Sequence, residues 1–291
     1  MTAAALAWGS AFLAFGPVAS TLFLIVYQKA QLVIVVTTSA FAFLLSALGA
    51  SLFWYMFHAA GVNHPIIILL PGVIFQGIMR CGFVALYHKV EKVIESSIAR
   101  HEQHQIQRGE SEEAMAESAR LRLELNDWAC GLAAGTGFGG MHAVLLYGTL
   151  LASESSNLGT LIQDSCPSMP GLLLSAMNAF LFTILDMIWM LFTFFGMRRR
   201  RSPGMDCSRG VGAVIGNSRQ SGNIALAICG ITHLAASFAT TPNAFGGGCS
   251  LSIPLLVGIV LLTVCTFVVG VSNIYLPAHQ RRRMVLAGGH D

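Results

Sequence analysis

Apolar residues come in seven long runs, each near the length of about 20 residues that crosses the ~30 Å hydrocarbon layer of a bilayer. They predict helices at about 3–27, 32–57, 66–88, 128–151, 170–197, 222–241 and 251–276. Glycines and prolines inside these runs do not argue against helix, because membrane helices tolerate both. Polar positions set the boundaries. The stretches 89–127 and 198–221 and the tail 277–291 carry most of the charge and read as connections and a tail rather than spans. Within the long loop, Ile94, Ile98 and Ile106 are spaced for a helix, so 89–127 is expected to extend the third helix before returning as an amphipathic or flexible segment. The sixth run is the least apolar, with Asn223, Thr232, His233, Ser237, Thr240 and Thr241, and burial among neighbouring helices is expected for it. The fold class is an all-α polytopic membrane protein in one domain.

Composition supports this and adds little else. Of 291 residues 54% are hydrophobic and 11% charged, well below the quarter that soluble domains carry. A net charge of +3 gives no reason to expect nucleic acid as a partner; membrane lipid is the solvent.

Charge placement orients the chain. Lys29 lies between spans one and two; Lys89, Lys92, Arg100, Arg108, Arg120 and Arg122 lie between three and four. Arg198 to Arg201, Arg209 and Arg219 lie between five and six, and Arg281 to Arg283 follow seven. Arg80 sits about two turns inside the same end of span three. The opposite loops hold no Lys or Arg, only Glu154 and Asp164. Six or eight spans would break this sorting. The positive-inside rule then places the basic face in the cytosol, the N-terminus outside and the C-terminus inside. A signal-peptide reading of span one lacks a basic leading segment, and its apolar run is long for one.

Span four carries Gly131, Gly135, Gly139 and Ala143 at four-residue spacing. That spacing stacks the four on one helical face, where missing side chains let another backbone approach closely. Gly137 and Gly140 are expected to widen the same groove; a flexible hinge is the competing reading.

Four polar residues stand deep inside apolar runs. A carboxylate at Asp186, near the bilayer centre, costs about 2.5–3.5 kcal/mol on insertion scales, so it must face the bundle or find a partner. His233 on span six lies at a similar depth, and Gln76 and Arg80, one turn apart on span three, reach the same level. A joined cluster of Asp186, His233, Gln76 and Arg80 is one expectation; separate local bonds, with Arg80 snorkelling to the surface, is the other. His142, beside the glycine face, reads equally as a packing histidine.

These groups do not compose an enzyme. An aspartyl protease needs two carboxylates sharing a site, and Asp186 is the only acidic residue deep in a span. No glycine-framed serine precedes a histidine in a serine-hydrolase pattern. His101 and His104 are one residue short of the zinc-binding HExxH spacing. No metal or cofactor is expected. A retinal-type receptor would need a lysine in span seven, which has none, and a transporter would need broken helices in related halves. Seven cysteines form no CxxC pair. Cys166 and Cys249 fall in outer loops where an oxidising lumen permits a disulfide, although nothing in the sequence brings those loops together. Cys81, Cys130, Cys229 and Cys265 read as small apolar packers, and no Asn-x-Ser/Thr acceptor is present.

Several short segments carry a resemblance. They are Gly9-Ser-Ala-Phe-Leu-Ala-Phe-Gly-Pro17, Ser51-Leu-Phe-Trp-Tyr-Met56, Gln76-x-x-x-Arg80, Gly135-Thr-Gly-Phe-Gly-Gly-Met141 and Thr232-His-Leu234. Leu158-Gly-Thr160 with Asp164-Ser-Cys-Pro167 adds an outer-loop match. In this order along the chain they resemble the anterior-pharynx-defective family, the seven-helix scaffold subunit of gamma-secretase. Asp186 stands where the family commonly has a histidine, Ala143 where it has a further glycine, and Gly77 where it has an acidic residue. The resemblance implies a non-catalytic assembly subunit that holds presenilin, nicastrin and the small presenilin-enhancer subunit. It also implies that Asp186 and His233 line a partner-accepting cavity. The expected setting is the endoplasmic reticulum, Golgi, endosomal and plasma membranes, supporting proteolysis of single-pass membrane proteins.

Overall fold

The computed structural model describes residues 3–27, 29–62, 65–108, 127–153, 166–201 and 218–270. Expectations about 109–126, 154–165, 202–217 and 271–291, including the match at Leu158 to Thr160 and the basic residues Arg209 and Arg281 to Arg283, lie outside them. Among the described residues, seven helices are long and apolar enough to cross a membrane. They are α1 (Ala3–Thr21, continued by a π-helical turn Leu22–Val26), α2 (Ala30–Ala59), α3 (Pro65–Arg108) and α4 (Asp127–Ala143). A π-helical turn, Val144–Gly148, and a final turn, Thr149–Ser153, prolong α4. After these come α5 (Gly171–Arg201), α6 (Ser218–Ala239, followed by a 3₁₀ turn Thr241–Ala244) and α7 (Cys249–Gly270).

Residues 89–108 are helix and prolong α3 to 44 residues, the extension of the third span that the spacing of Ile94, Ile98 and Ile106 suggests. Likewise Arg198 to Arg201 end α5 as helix, and 218–221 open α6. Basic side chains near a helix C-terminus complement the macrodipole, and nothing in these stretches breaks a helix.

α5 is the axis of the bundle. It packs against α4, α6, α1, α7 and α3, while α4 packs against α5, α2 and α1. In α5, 78% of the apolar span is buried, against 17% in α1 and α3. Only α5 therefore needs apolar residues all round, and it has them; the others keep a lipid-facing side. The sixth span departs from expectation, since only 28% of it is buried. Its polar side chains need one inward face, not an enclosed helix: His233 is buried while Ile231 is 67% exposed.

Small residues set how closely α4 and α5 approach. A Cβ on Gly131 would meet Leu191 at 2.9 Å, one on Gly135 would overlap the backbone of Met187, and one on Gly139 would meet the Thr183 backbone at 3.0 Å. Ala143 and Ala179 share the next layer. One partner number falls by four as the other rises by four, the register of two antiparallel helices meeting once per turn. The approach is close enough for the Thr183 hydroxyl to donate to the Gly139 carbonyl across the seam at 3.1 Å. Gly137 and Gly140 do not widen this groove. Two residues from Gly135 is 200° around a helix, and Gly137 accordingly faces Ser39 and the Val36 carbonyl of α2. Gly140 faces Val18 of α1. The glycines of α4 thus admit three different helices.

Cys166, just before α5, is joined by a disulfide to Cys249 at the start of α7. Leu174 is buried with them, and Met169 and Ile253 pack against the bridge. It ties together the loops whose meeting the sequence leaves open.

Candidate functional site

Asp186 lies fifteen residues from either end of α5, about 22 Å from each by helix rise. A fully buried carboxylate at that depth must be matched by donors. Arg80 of α3, 1% exposed, pairs with its Oδ1. Nδ1 of His142 on α4 lies 2.8 Å from its Oδ2. The same guanidinium donates to Gln76 Oε1 at 3.2 Å and lies 3.2 Å from His233 Nδ1 on α6. Arg80 does not snorkel. An α3 arginine of the middle turns can reach either the surface or the α5 carboxylate, and only the second supplies a charge partner.

The donor inventory fixes the directions of these bonds. Arginine has no acceptor, so His233 accepts at Nδ1 and carries its ring proton on Nε2. A carboxylate bonded on both oxygens needs a donor at each, so His142 donates from Nδ1. The two histidines thus play opposite parts around one ion pair, His233 accepting and His142 donating at Nδ1. Aromatic faces close the sides: the guanidinium carbon lies 4.9 Å from the Trp189 ring and 5.3 Å from the Phe138 ring. Trp189 packs on His233 with the rings tilted by 40° and their centroids 4.4 Å apart, and it donates from Nε1 to Thr232 Oγ1 at 2.8 Å. His142 sits between Phe43 and Phe182. The cluster thus joins α3, α4, α5 and α6 in mid-membrane.

The four residues expected together are together, and His142 is added to them. One signal in the sequence pointed to it: His142 is seven residues, two turns, beyond Gly135, which faces α5 opposite Met187 beside Asp186. Arg80 Nε has no partner among the described residues.

Beside the site is a cavity of about 270 Å³ lined by Gln76, His142, Asn178, His233, Ser237 and Thr240 among others. Gln76 and His233 line it, whereas Asp186 and Arg80, expected on its wall, are buried in their own ion pair and do not. A second cavity of about 580 Å³ adjoins it toward the end opposite the basic residues, sharing Leu146 and Asn178. The π-helical turn shapes this region. Such a turn breaks the regular hydrogen-bond ladder, and the Ser175 hydroxyl of α5 donates to the Leu146 carbonyl at 2.6 Å. Asn178 Oδ1 and Asn243 Oδ1, both beside the outer cavity, have no partner among the described residues.

A second polar cluster, not anticipated, stands at the basic end of the bundle. Arg198 Nε donates to Asp127 Oδ2 at 2.7 Å, and its Nη2 to Glu91 Oε1 at 2.7 Å. It joins α3, α4 and α5, and places an acid at the N-terminus of α4 against bases at the C-terminus of antiparallel α5. His88, Glu91 and Asp127 bring ligand atoms within 4.8 Å of one another, as a metal site would. Both carboxylates already bind Arg198, which stands as their cation.

Taken together, fold and site define a multi-pass integral membrane protein built around a buried ion pair, with its polar groups opening into an intramembrane cavity. Asp186 has no second carboxylate beside it among the described residues, so the cluster lacks the paired acids of an aspartyl protease. The Aph-1 protein family matches residues 5–272. The chain belongs to this family. It is 28% identical over 260 residues to a protein of Arabidopsis thaliana described as gamma-secretase subunit APH1-like, covering 88% of both chains.

Proposed function

We propose that this chain is the non-catalytic scaffold subunit of a gamma-secretase-type intramembrane protease complex. It would hold a presenilin-like catalytic subunit together with nicastrin-like and small presenilin-enhancer-like chains, in endoplasmic reticulum, Golgi, endosomal and plasma membranes. The observation that carries the reading is family membership over nearly the whole chain. The buried site supports it: the cluster joins four helices while Ser237, Thr240 and Gln76 leave a polar wall on a cavity that the described residues do not fill. A transmembrane partner with its own polar groups fits such a wall better than lipid tails do. The membrane orientation has the basic end in the cytosol. A disulfide at the opposite end favours it, because disulfides persist in oxidising compartments.

Affinity purification in mild detergent tests this. Presenilin-like and nicastrin-like chains are expected to co-purify, and a chain that stays alone under conditions preserving other complexes would refute the reading. Gly135→Leu and Gly139→Leu should reduce recovery of the complex without changing membrane insertion. Full recovery with both bulky residues would count against the α4–α5 seam as its basis.

A further inference from the structure

At the basic end, a cleft of about 540 Å³ is lined by Ala85, Leu86, Lys89 and Lys92 of α3 and Arg201 of α5. Ala85 and Leu86 give the lining an apolar part, Lys89 and Lys92 follow one turn on, three residues apart on the same face, and Arg201 adds a third cation from α5. The lining contains no acid. Glu91, between the two lysines in sequence, points to the other side of α3 and is held there by Arg198. Among the described residues no carboxylate pairs with Lys89, Lys92 or Arg201. Three cations therefore converge on one space without a counter-charge among the described residues, and their mutual repulsion favours an anion there.

Lipid is at hand. Leu86, Val90 and Val93 on α3 are 61%, 48% and 59% exposed, an acyl-chain surface running up to the lysines. A basic pocket between transmembrane helices at the cytosolic surface suits a phosphate-bearing headgroup, which an arginine fork grips through two oxygens and lysines attract as point charges. We propose that the cleft binds the phosphate headgroup of an anionic phospholipid from the cytosolic leaflet. The inference rests on the membrane orientation given above, but not on the identity of any partner chain.

The test reconstitutes the full chain in phosphatidylcholine nanodiscs containing phosphatidylinositol phosphate, and counts retained lipids by native mass spectrometry. Wild type should retain the phosphoinositide over phosphatidylcholine. Lys89→Gln, Lys92→Gln and Arg201→Gln should each lower its retention about fivefold, the equivalent of about 1 kcal/mol per charge. Lys29→Gln, away from the cleft, should change nothing. Lys89→Arg with Lys92→Arg should keep binding, which separates lost charge from lost folding. Equal retention in the Gln variants, no preference over phosphatidylcholine, or cross-linking of Lys89 and Lys92 to an acidic segment of a partner chain in place of lipid would each overturn the proposal. Complex recovery measured on the same variants distinguishes failure of the cleft from failure of the subunit role: unchanged lipid retention with intact recovery sinks the cleft alone.

Discussion

Two arginines organise this protein, and their surroundings differ. Arg80 is 1% exposed and holds Asp186 in mid-membrane; Arg198 is 30% exposed and holds Asp127 and Glu91 at the basic end. Both bind across three or more helices. Water can replace the partners of Arg198 and cannot replace those of Arg80. The strength of a buried ion pair lies in what its breaking exposes, so similar chemistry fixes the bundle at one level and trims its edge at the other.

The largest effect should come from unpairing the central cluster. Arg80→Met leaves Asp186 without its cation and is expected to cost about 3–5 kcal/mol of reversible unfolding in bicelles. Asp186→Leu alone strands the arginine. The double variant should be less damaging than either single one, because it removes both buried charges at once. Additive losses would show that the two residues act separately.

A smaller effect is expected at the basic end. Arg198→Met should cost about 1–2 kcal/mol in the same assay, between the values of exposed and buried pairs. Raising ionic strength should reduce the wild-type advantage over Arg198→Met and leave the Arg80→Met deficit unchanged. Equal salt dependence at the two arginines would erase the distinction between them.

The difference in setting also explains what could be read from the residues alone. Asp186, Arg80, Gln76 and His233 stand out because each interrupts an apolar run, where polarity is costly and calls for a partner. His88, Glu91, Asp127 and Arg198 lie where charge is expected at a membrane boundary, so nothing marks them as a cluster. His142 was ambiguous because it adjoins a glycine face and rings of Phe43 and Phe182 pack on it as they would on any core histidine. The four-residue spacing of Gly131, Gly135, Gly139 and Ala143 revealed a packing face but not its occupant, which depends on α5 running antiparallel beside it. Gly137 and Gly140 serve α2 and α1, a division visible in angle once the neighbours are known. Burial of the sixth span was overestimated because polarity indicates one inward face and says nothing about what covers the other.

The proposed subunit role would seat a helix of the catalytic partner in the cavity beside the Arg80–Asp186 pair. A photo-reactive side chain placed at Ser237 or Thr240, on the cavity wall, tests it most directly, with the outward-facing Ile231 of the same helix as reference. The account predicts adducts to the presenilin-like chain from Ser237 and Thr240, and markedly fewer from Ile231. Adducts from Ile231 with none from the cavity wall would contradict it.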